Sequence, residues 1–461
     1  MREAKDLRYN GIVLEDFKFD ILDRLEPEYF HNLEQVRLAA ADLELDLYPV
    51  IAKVGYSNGL LTVDPNLAEG VPVIGAPYRA SKGEAGPAAS LLLRLTADQR
   101  VQVSPFRQYR LSVEVRTNDF IVREVAAAVR TASGRSVAYF DRAPAANQEW
   151  QRHQVVFNSL DQDYLEVSPI GWLDGSGEIH CRNATLEEIG LVNVIRREGA
   201  PLTVSDQAGV TFYHEGKDFE VEKSDAGLMP RPGEYAAYHR PLRLLLPPGS
   251  AIGEGQTILV NYYHALVMRE GSVTSCLSAE ETYLHIEDQI ARVQAVLAPE
   301  GFLLALDEVR VANWCEKCRQ RKLTPGQLLA VHIRRCVELV RKGSPAADIL
   351  VWSDMLDPLH NAHDHYYLVN GDASGSWEGL DKDVIIANWN FNAIDASPRW
   401  FAQRGYRQVI AGYFDREISE IGEWAKVAKN TQRVCGAMYV TWEQDYSHLG
   451  TFAGLMWNNV G

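Results

Sequence analysis

The pattern of apolar and polar positions changes character twice along the chain. Near the amino end, Gly11-Ile-Val-Leu-Glu-Asp16 is a short β-type run. Residues 27–45 then carry apolar side chains near helical spacing behind Pro27, and Leu47-Tyr-Pro-Val-Ile-Ala52 reads as a second strand. Strand, helix and strand within about 40 residues form a βαβ unit, which implies parallel pairing. The same rhythm returns after residue 255. Strand-like runs fall at 257–263, 302–308, 348–354, 384–390, 408–414 and 436–442, with helical stretches at 279–297, 325–342, 396–404 and 417–429. Two strands before and six after make eight, the count that closes a parallel (β/α)8 TIM barrel, and this α/β fold is the one expected. An open doubly wound sheet is the alternative, but no glycine-rich phosphate-binding turn follows the first strand.

Residues 79–250 break the rhythm. Tyr109-Arg-Leu-Ser-Val-Glu-Val-Arg116 and His153-Gln-Val-Val-Phe157 alternate polar and apolar side chains, and turn signals such as Gly134, Asn147 and Asp174-Gly-Ser-Gly177 recur between short runs. That is an antiparallel, jelly-roll-like β-sandwich pattern. The expected organisation is therefore a barrel formed by 1–78 and 251–461, with a sandwich inserted over 79–250 after the second strand. A smaller β segment around 208–222 belongs to the insert or leads back to the barrel. No internal repeat is visible.

Composition narrows the partners. The chain has 461 residues with 46 Lys+Arg against 62 Asp+Glu, a net charge of −16. Such a balance repels phosphate backbones, so nucleic acid is not an expected partner. No run reaches the length of a membrane span, and the amino end lacks an apolar signal core, which points to the cytoplasm. Six cysteines do not make a disulfide scaffold. A homodimer is the candidate assembly.

In a βα barrel the reactive groups lie where the strands end, because the following loops converge there. The eight expected exits are Glu15-Asp16; Lys53 with Tyr56; Asn261-Tyr-Tyr-His264; Asp307-Glu308 with Arg310; Trp352-Ser-Asp354; Asn388-Trp389-Asn390; Tyr413-Phe-Asp415; and Trp442-Glu443. Indole faces stack on the C–H patches of sugars, while acids and amides bond their hydroxyls. Three tryptophans at three exits, each beside a polar acceptor, point to a carbohydrate pocket. The sharpest feature is the apolar run Phe302-Leu-Leu-Ala-Leu306 delivering two adjacent carboxylates. Crowding and desolvation raise the pKa of one of them, which suits a general acid; a helix-start acidic pair is the plainer reading.

On these residues the second half of the chain resembles the catalytic barrel of family 20 glycoside hydrolases, the β-N-acetylhexosaminidases and their relatives. The resemblance implies a retaining, substrate-assisted hydrolase. Glu308 would protonate the leaving oxygen, Asp307 would orient the substrate's 2-acetamido group, Tyr413 would bond its oxygen, and Trp352, Trp389 and Trp442 would wall the sugar. Asp16, His264, Arg310, Asp354, Asn390, Asp415 and Glu443 complete the expected binding set, and no cofactor is implied. The chain departs from the family in having Leu303-Leu-Ala-Leu306 where a His/Asn-x-Gly-x step is usual, in lacking a match to the first-strand Arg, and in carrying its sandwich inside the barrel. The sandwich itself looks like a carbohydrate-binding module.

Two other readings stay open. A glycosidase of another sugar would use a second carboxylate, retaining or inverting according to its distance from the acid, and Asp16, Asp354, Asp415 or Glu443 could supply it. A non-catalytic carbohydrate-binding protein is the other. Cys315-x2-Cys318 with His332-x3-Cys336 has zinc-ligand spacing, although His332 and Cys336 also fit one turn of an ordinary helix. Asp357, His360, His363 and His365 cluster after the fifth expected strand and read as a polar substrate-binding loop rather than a metal site.

Overall fold

The computed structural model describes residues 1–88, 91–124, 127–140, 144–171, 174–223, 241–415 and 417–457. The chain divides into two compact units. The first takes Met1–Leu60, Leu277–Val309 and Leu323–Gly461, and the second Leu61–Cys276 with Arg310–Lys322.

The first unit is built on seven parallel strands: β1 (Gly11–Leu14), β2 (Asp46–Ile51), β3 (Gly301–Leu304), β4 (Asp348–Trp352), β5 (Ile385–Asn388), β6 (Arg407–Phe414) and β7 (Val434–Val440), hydrogen-bonded in that order. Helices α1 (Pro27–Asp42), α2 (Glu280–Leu297), α3 (Pro325–Gly343), α4 (Ala396–Gln403), α5 (Ser419–Asn430) and α6 (Leu449–Met456) alternate with them. Their starts follow local chemistry: Pro27 opens α1, and Thr324 with Gln327 forms a capping box on α3. The strands are apolar on both faces, as a covered parallel sheet requires. One face gathers Val13, Val50, Leu303, Ala305, Leu350, Trp352, Ile385, Ala387, Ala411 and Val440 into a single core that draws on every strand. The sheet's two ends are also linked. The Tyr9 hydroxyl, just ahead of β1, donates to the Leu449 carbonyl of α6 at 2.9 Å. The Trp457 indole donates to the Leu7 carbonyl at 2.7 Å.

The second unit is antiparallel. Two four-stranded sheets share one core, with Leu111, Val113, Val155, Phe157 and Leu186 from one sheet facing Val101, Val129, Val137, Leu165 and Val167 from the other. A further antiparallel sheet contains Val71–Ser81 and Thr257–His264, paired with each other.

This corrects the expected third barrel strand. Thr257–His264 belongs to the second unit, pairing with Val71–Ser81 and Thr203–Asp206 rather than with a parallel neighbour. The physical reason is its periodicity. Ile258, Val260, Tyr262 and His264 are buried while Thr257, Leu259 and Asn261 are only half-buried, the alternation of a strand with one covered face. The second unit is also wider than the expected insert, starting at Leu61 and recruiting Arg310–Lys322.

Candidate active site

The exits of β1, β3 and β4 bring carboxyl groups together, and the loop after β2 adds Lys53 and Tyr56. Beyond β3 the chain continues through Ala305-Leu306 to Asp307 and Glu308, and Glu308 takes a left-handed backbone conformation with φ 48°. That region is uncommon for a residue with a side chain and costs about 1–3 kcal/mol, so it persists only where neighbours enforce it. Two neighbours do. The Glu308 backbone N–H donates to Asp354 Oδ2 at 2.8 Å, and the Tyr56 hydroxyl donates to the Glu308 carboxylate. Tyr56 reaches it because the loop after β2 packs on the same backbone: Val54 N–H donates to the Ala305 carbonyl at 3.1 Å. At Gly55 a Cβ would stand 2.0 Å from the Asp307 carbonyl oxygen, so only glycine permits this approach.

Asp354 is fully buried. Its Oδ2 also accepts from the Asn361 side-chain amide at 2.8 Å, whereas its Oδ1 has no hydrogen-bond partner among the described residues. The His360 ring packs edge-on to Trp389 at 4.3 Å, and its Nδ1 is likewise buried and unpartnered. Burial, above all, and the neighbouring Asp354, Glu15 and Glu308 charges push the Asp307 carboxyl well above the usual range. Asp354 is raised mainly by burial, with His360 and the Glu308 N–H opposing. Asp307 and Asp354 therefore retain protons at pH values where isolated carboxyls have lost them.

Lys53 pairs with Glu15 at 2.9 Å. Beside them sits Asp20, raised to about 7 chiefly by burial and lowered in part by Lys53 and Gln289. Its carboxylate accepts from the Gln289 amide at 2.5 Å, and Gln289 in turn accepts from the Ala52 N–H at 3.0 Å. A carboxyl raised on folding loses stability as pH climbs from its unfolded to its folded value. At about 1.4 kcal/mol per pH unit, Asp20 accounts for up to about 4 kcal/mol between pH 4 and 7. Asp20→Asn should therefore flatten the pH dependence of stability there, seen as a gain over the native chain in denaturant midpoints at pH 7 and none at pH 4. Tyr56→Phe removes the hydrogen bond that holds the Glu308 carboxyl, worth about 0.5–1.5 kcal/mol. It should lower kcat/KM tenfold or more on any glycoside that the native chain cleaves, with a loss of unfolding free energy no larger than that bond's worth.

The other expected site residues have different surroundings. Asp16 caps the following turn, accepting from the Lys18 N–H at 2.9 Å and the Tyr29 hydroxyl at 2.7 Å. Asn390 donates to Asp357 at 2.9 Å and holds the Ala393 N–H at 3.1 Å. The Asp415 carboxylate secures the turn after β7 by accepting from the Thr441 hydroxyl and the Trp442 and Glu443 N–H groups. Trp442 is 57% exposed, and Glu443 is exposed beside it. Trp352 lies in the interior layer with Trp389. Tyr413 is buried against Tyr439, with ring centres 4.8 Å apart, among Trp424, Phe452 and Met456.

Two expectations are corrected. His264 is fully buried in the second unit, with its ring nitrogens 3.1 Å from the Gln108 amide and 3.0 Å from the Asn158 amide. Burial lowers its pKa to about 4, so it is a neutral core histidine, as the end of an antiparallel strand dictates. Arg310, 1% exposed, holds a turn of the same unit through the Arg269 carbonyl at 3.1 Å and Ser272 Oγ at 2.9 Å. The four residues with zinc-ligand spacing are divided between the two units. His332 and Cys336 lie on α3, where His332 meets the Tyr283 hydroxyl at 3.0 Å and Cys336 Sγ lies 3.5 Å from His332 Nε2. Cys315 and Cys318 belong to the second unit.

Asp20 and Asn361 have no place in the sequence-based site, Tyr56 and Lys53 stand there only as strand-exit residues, and His360 only as part of a polar substrate-binding loop. The signal for Tyr56 was its place just beyond a strand exit; Asp20 and Asn361 carry none, since their partners are remote in sequence.

No protein-family model matches the chain, and no curated protein matches it. Among solved structures it is similar to the GH20 catalytic modules of the pneumococcal exo-β-D-N-acetylglucosaminidase StrH, at 14% identity over 41% of this chain and 50% of that chain, with a TM-score of 0.27. A second StrH structure gives 14% identity, 40% and 49% coverage and a TM-score of 0.25. A rhamnosidase from Novosphingobium sp. PP1Y is 8% identical over 90% of this chain and 50% of that one, with a TM-score of 0.24. The chain thus spans about half the length of these structures. Superpositions this loose leave the reading of the site to its own side chains.

Proposed function

We propose that the chain is a glycoside hydrolase in which Glu308 is the proton donor. The observation that carries this reading is the Asp307-Glu308 pair at the β3 exit, with Glu308 held by Tyr56 and Asp354 beside an unpartnered Asp354 oxygen. A carboxyl held in position at a strand exit, beside the buried Asp307 and Asp354 carboxyls, suits protonation of a glycosidic oxygen. The substrate is a carbohydrate, and the reaction class is hydrolysis of an O-glycosyl bond with retention, a 2-acetamido group acting as nucleophile and Asp307 as its orienting partner. The scaffold is proposed as a barrel of the TIM type, with seven parallel strands among the described residues. Its support is the interior core drawn from all seven strands and the bonds tying the segment before β1 to α6. The antiparallel sandwich is proposed as a carbohydrate-binding module.

A second reading is favoured by Asp354. Its unpartnered Oδ1 makes it the candidate second carboxylate of a glycosidase acting without substrate assistance. Chromogenic N-acetylglucosaminide, glucoside, galactoside and xyloside separate the two. Turnover of the acetamido sugar alone, with inhibition by a thiazoline, supports the first; turnover of another glycoside without thiazoline inhibition supports the second. Failure of every glycoside, simple and oligomeric, would overturn both.

A further inference from the structure

Outside the carboxyl cluster, the second unit gathers four metal-ligating side chains from three remote stretches of its chain: Glu69, Cys276, Cys315 and Cys318. Their ligand atoms all lie within 4.8 Å of one another, and the three cysteines are buried and not joined in a disulfide. Cys276 Sγ is 3.6 Å from Cys315 Sγ and 3.6 Å from Cys318 Sγ. Cys318 Sγ is 3.6 Å from Glu69 Oε2. A tetrahedral zinc ion, with sulfur ligands at about 2.3 Å and oxygen at about 2.0–2.2 Å, sets sulfurs about 3.8 Å apart and sulfur and oxygen about 3.6 Å apart. The cluster has those spacings.

The outer contacts agree. Glu69 Oε1 accepts from the Trp314 N–H at 2.7 Å and the Cys315 N–H at 2.9 Å. This fixes the carboxylate so that Oε2 is the oxygen turned to the thiols. Arg197, anchored on the Asn66 and Ala68 carbonyls at 2.8 and 3.1 Å, faces Cys315, Cys276 and Glu69 and places a cation beside an anionic ligand set. A carboxylate 2% exposed among three thiols is costly to bury on its own, and a divalent cation would offset that cost.

We propose that Glu69, Cys276, Cys315 and Cys318 bind one zinc ion as a closed structural site. Four protein ligands leave no open position for substrate, and thiolate-rich tetrahedral sites favour zinc. The ion would fasten Arg310–Lys322 to the segments around Glu69 and Cys276 within the second unit. This inference is independent of the glycosidase reading.

The test uses the full chain, reduced without oxygen, given excess zinc and dialysed against a weak chelator. Elemental analysis should then find about one zinc per chain. Replacement by cobalt should give a thiolate-to-metal charge-transfer band. Cys318→Ser should lose the band and most of the zinc, Glu69→Gln should weaken binding at least tenfold, and Cys435→Ser, at an exposed thiol, should change neither. Circular dichroism checks that each variant folds, and the native chain's own cobalt spectrum stands if one does not. A native chain that retains no zinc, a cobalt spectrum without thiolate bands, or a Cys318→Ser chain that keeps its full zinc would overturn the proposal.

Discussion

Glu308→Gln should lower kcat/KM by about 10²–10⁴ on any glycoside that the native chain cleaves, the range expected when a positioned general acid is removed. Glutamine keeps the shape and can still accept from Tyr56, so melting temperature and binding of a non-hydrolysable sugar should be nearly unchanged. The deficit should depend on the leaving group. A dinitrophenyl glycoside departs without protonation and should be cleaved almost normally, whereas an alkyl glycoside should carry the full loss. A uniform loss across leaving groups would assign Glu308 to something other than proton donation, and an unchanged rate would remove the mechanism.

The second large effect belongs to Asp354. It is fully buried, and its Oδ2 accepts the backbone N–H of a residue whose φ is 48°. Asp354→Ala strands the Glu308 N–H and the Asn361 amide and removes what enforces the left-handed backbone. The stability cost should be about 1–3 kcal/mol for each buried donor left without a partner. Misplacing the acid by about an ångström should cost about 10²-fold in kcat. Asp354→Asn keeps an acceptor while removing the charge, so it should recover most of the stability. Its kcat separates two roles: recovery means that Asp354 only positions Glu308, while continued loss means that the carboxylate itself takes part. Denaturant unfolding and steady-state kinetics on the two variants together give the answer.

Much of the first unit was legible because its strands are apolar on both faces and punctuated by amphipathic helices. Seven of the eight expected strands pair in parallel, within a few residues of the expected bounds. The eighth, Thr257–His264, has a polar end like a strand exit, but its period of two belongs to an antiparallel sheet, where it pairs. At the strand exits, Asp307, Glu308 and Asp354 stand beside one another. Asp16, Asn390 and Asp415 illustrate the opposite outcome, since short polar side chains at strand ends are equally useful for capping the turns that follow. The cysteines divide in the same manner. Spacing identified Cys315 and Cys318 as a pair, but their neighbours Cys276 and Glu69 are distant in sequence, and only the fold brings them near.

The order in which the two units draw on the chain limits how they can be separated. Cys276 is the last residue before the stretch carrying α2, β3 and Glu308, and Arg310–Lys322 follows two residues after that acid. Deleting 61–276 from the gene would leave Cys315, Cys318 and a buried tryptophan, Trp314, orphaned in the remaining polypeptide. Expressing 61–276 alone would lack two thiols and the backbone donors that hold Glu69. Neither fragment is a natural module, so domain-dissection experiments need a graft that carries both pieces.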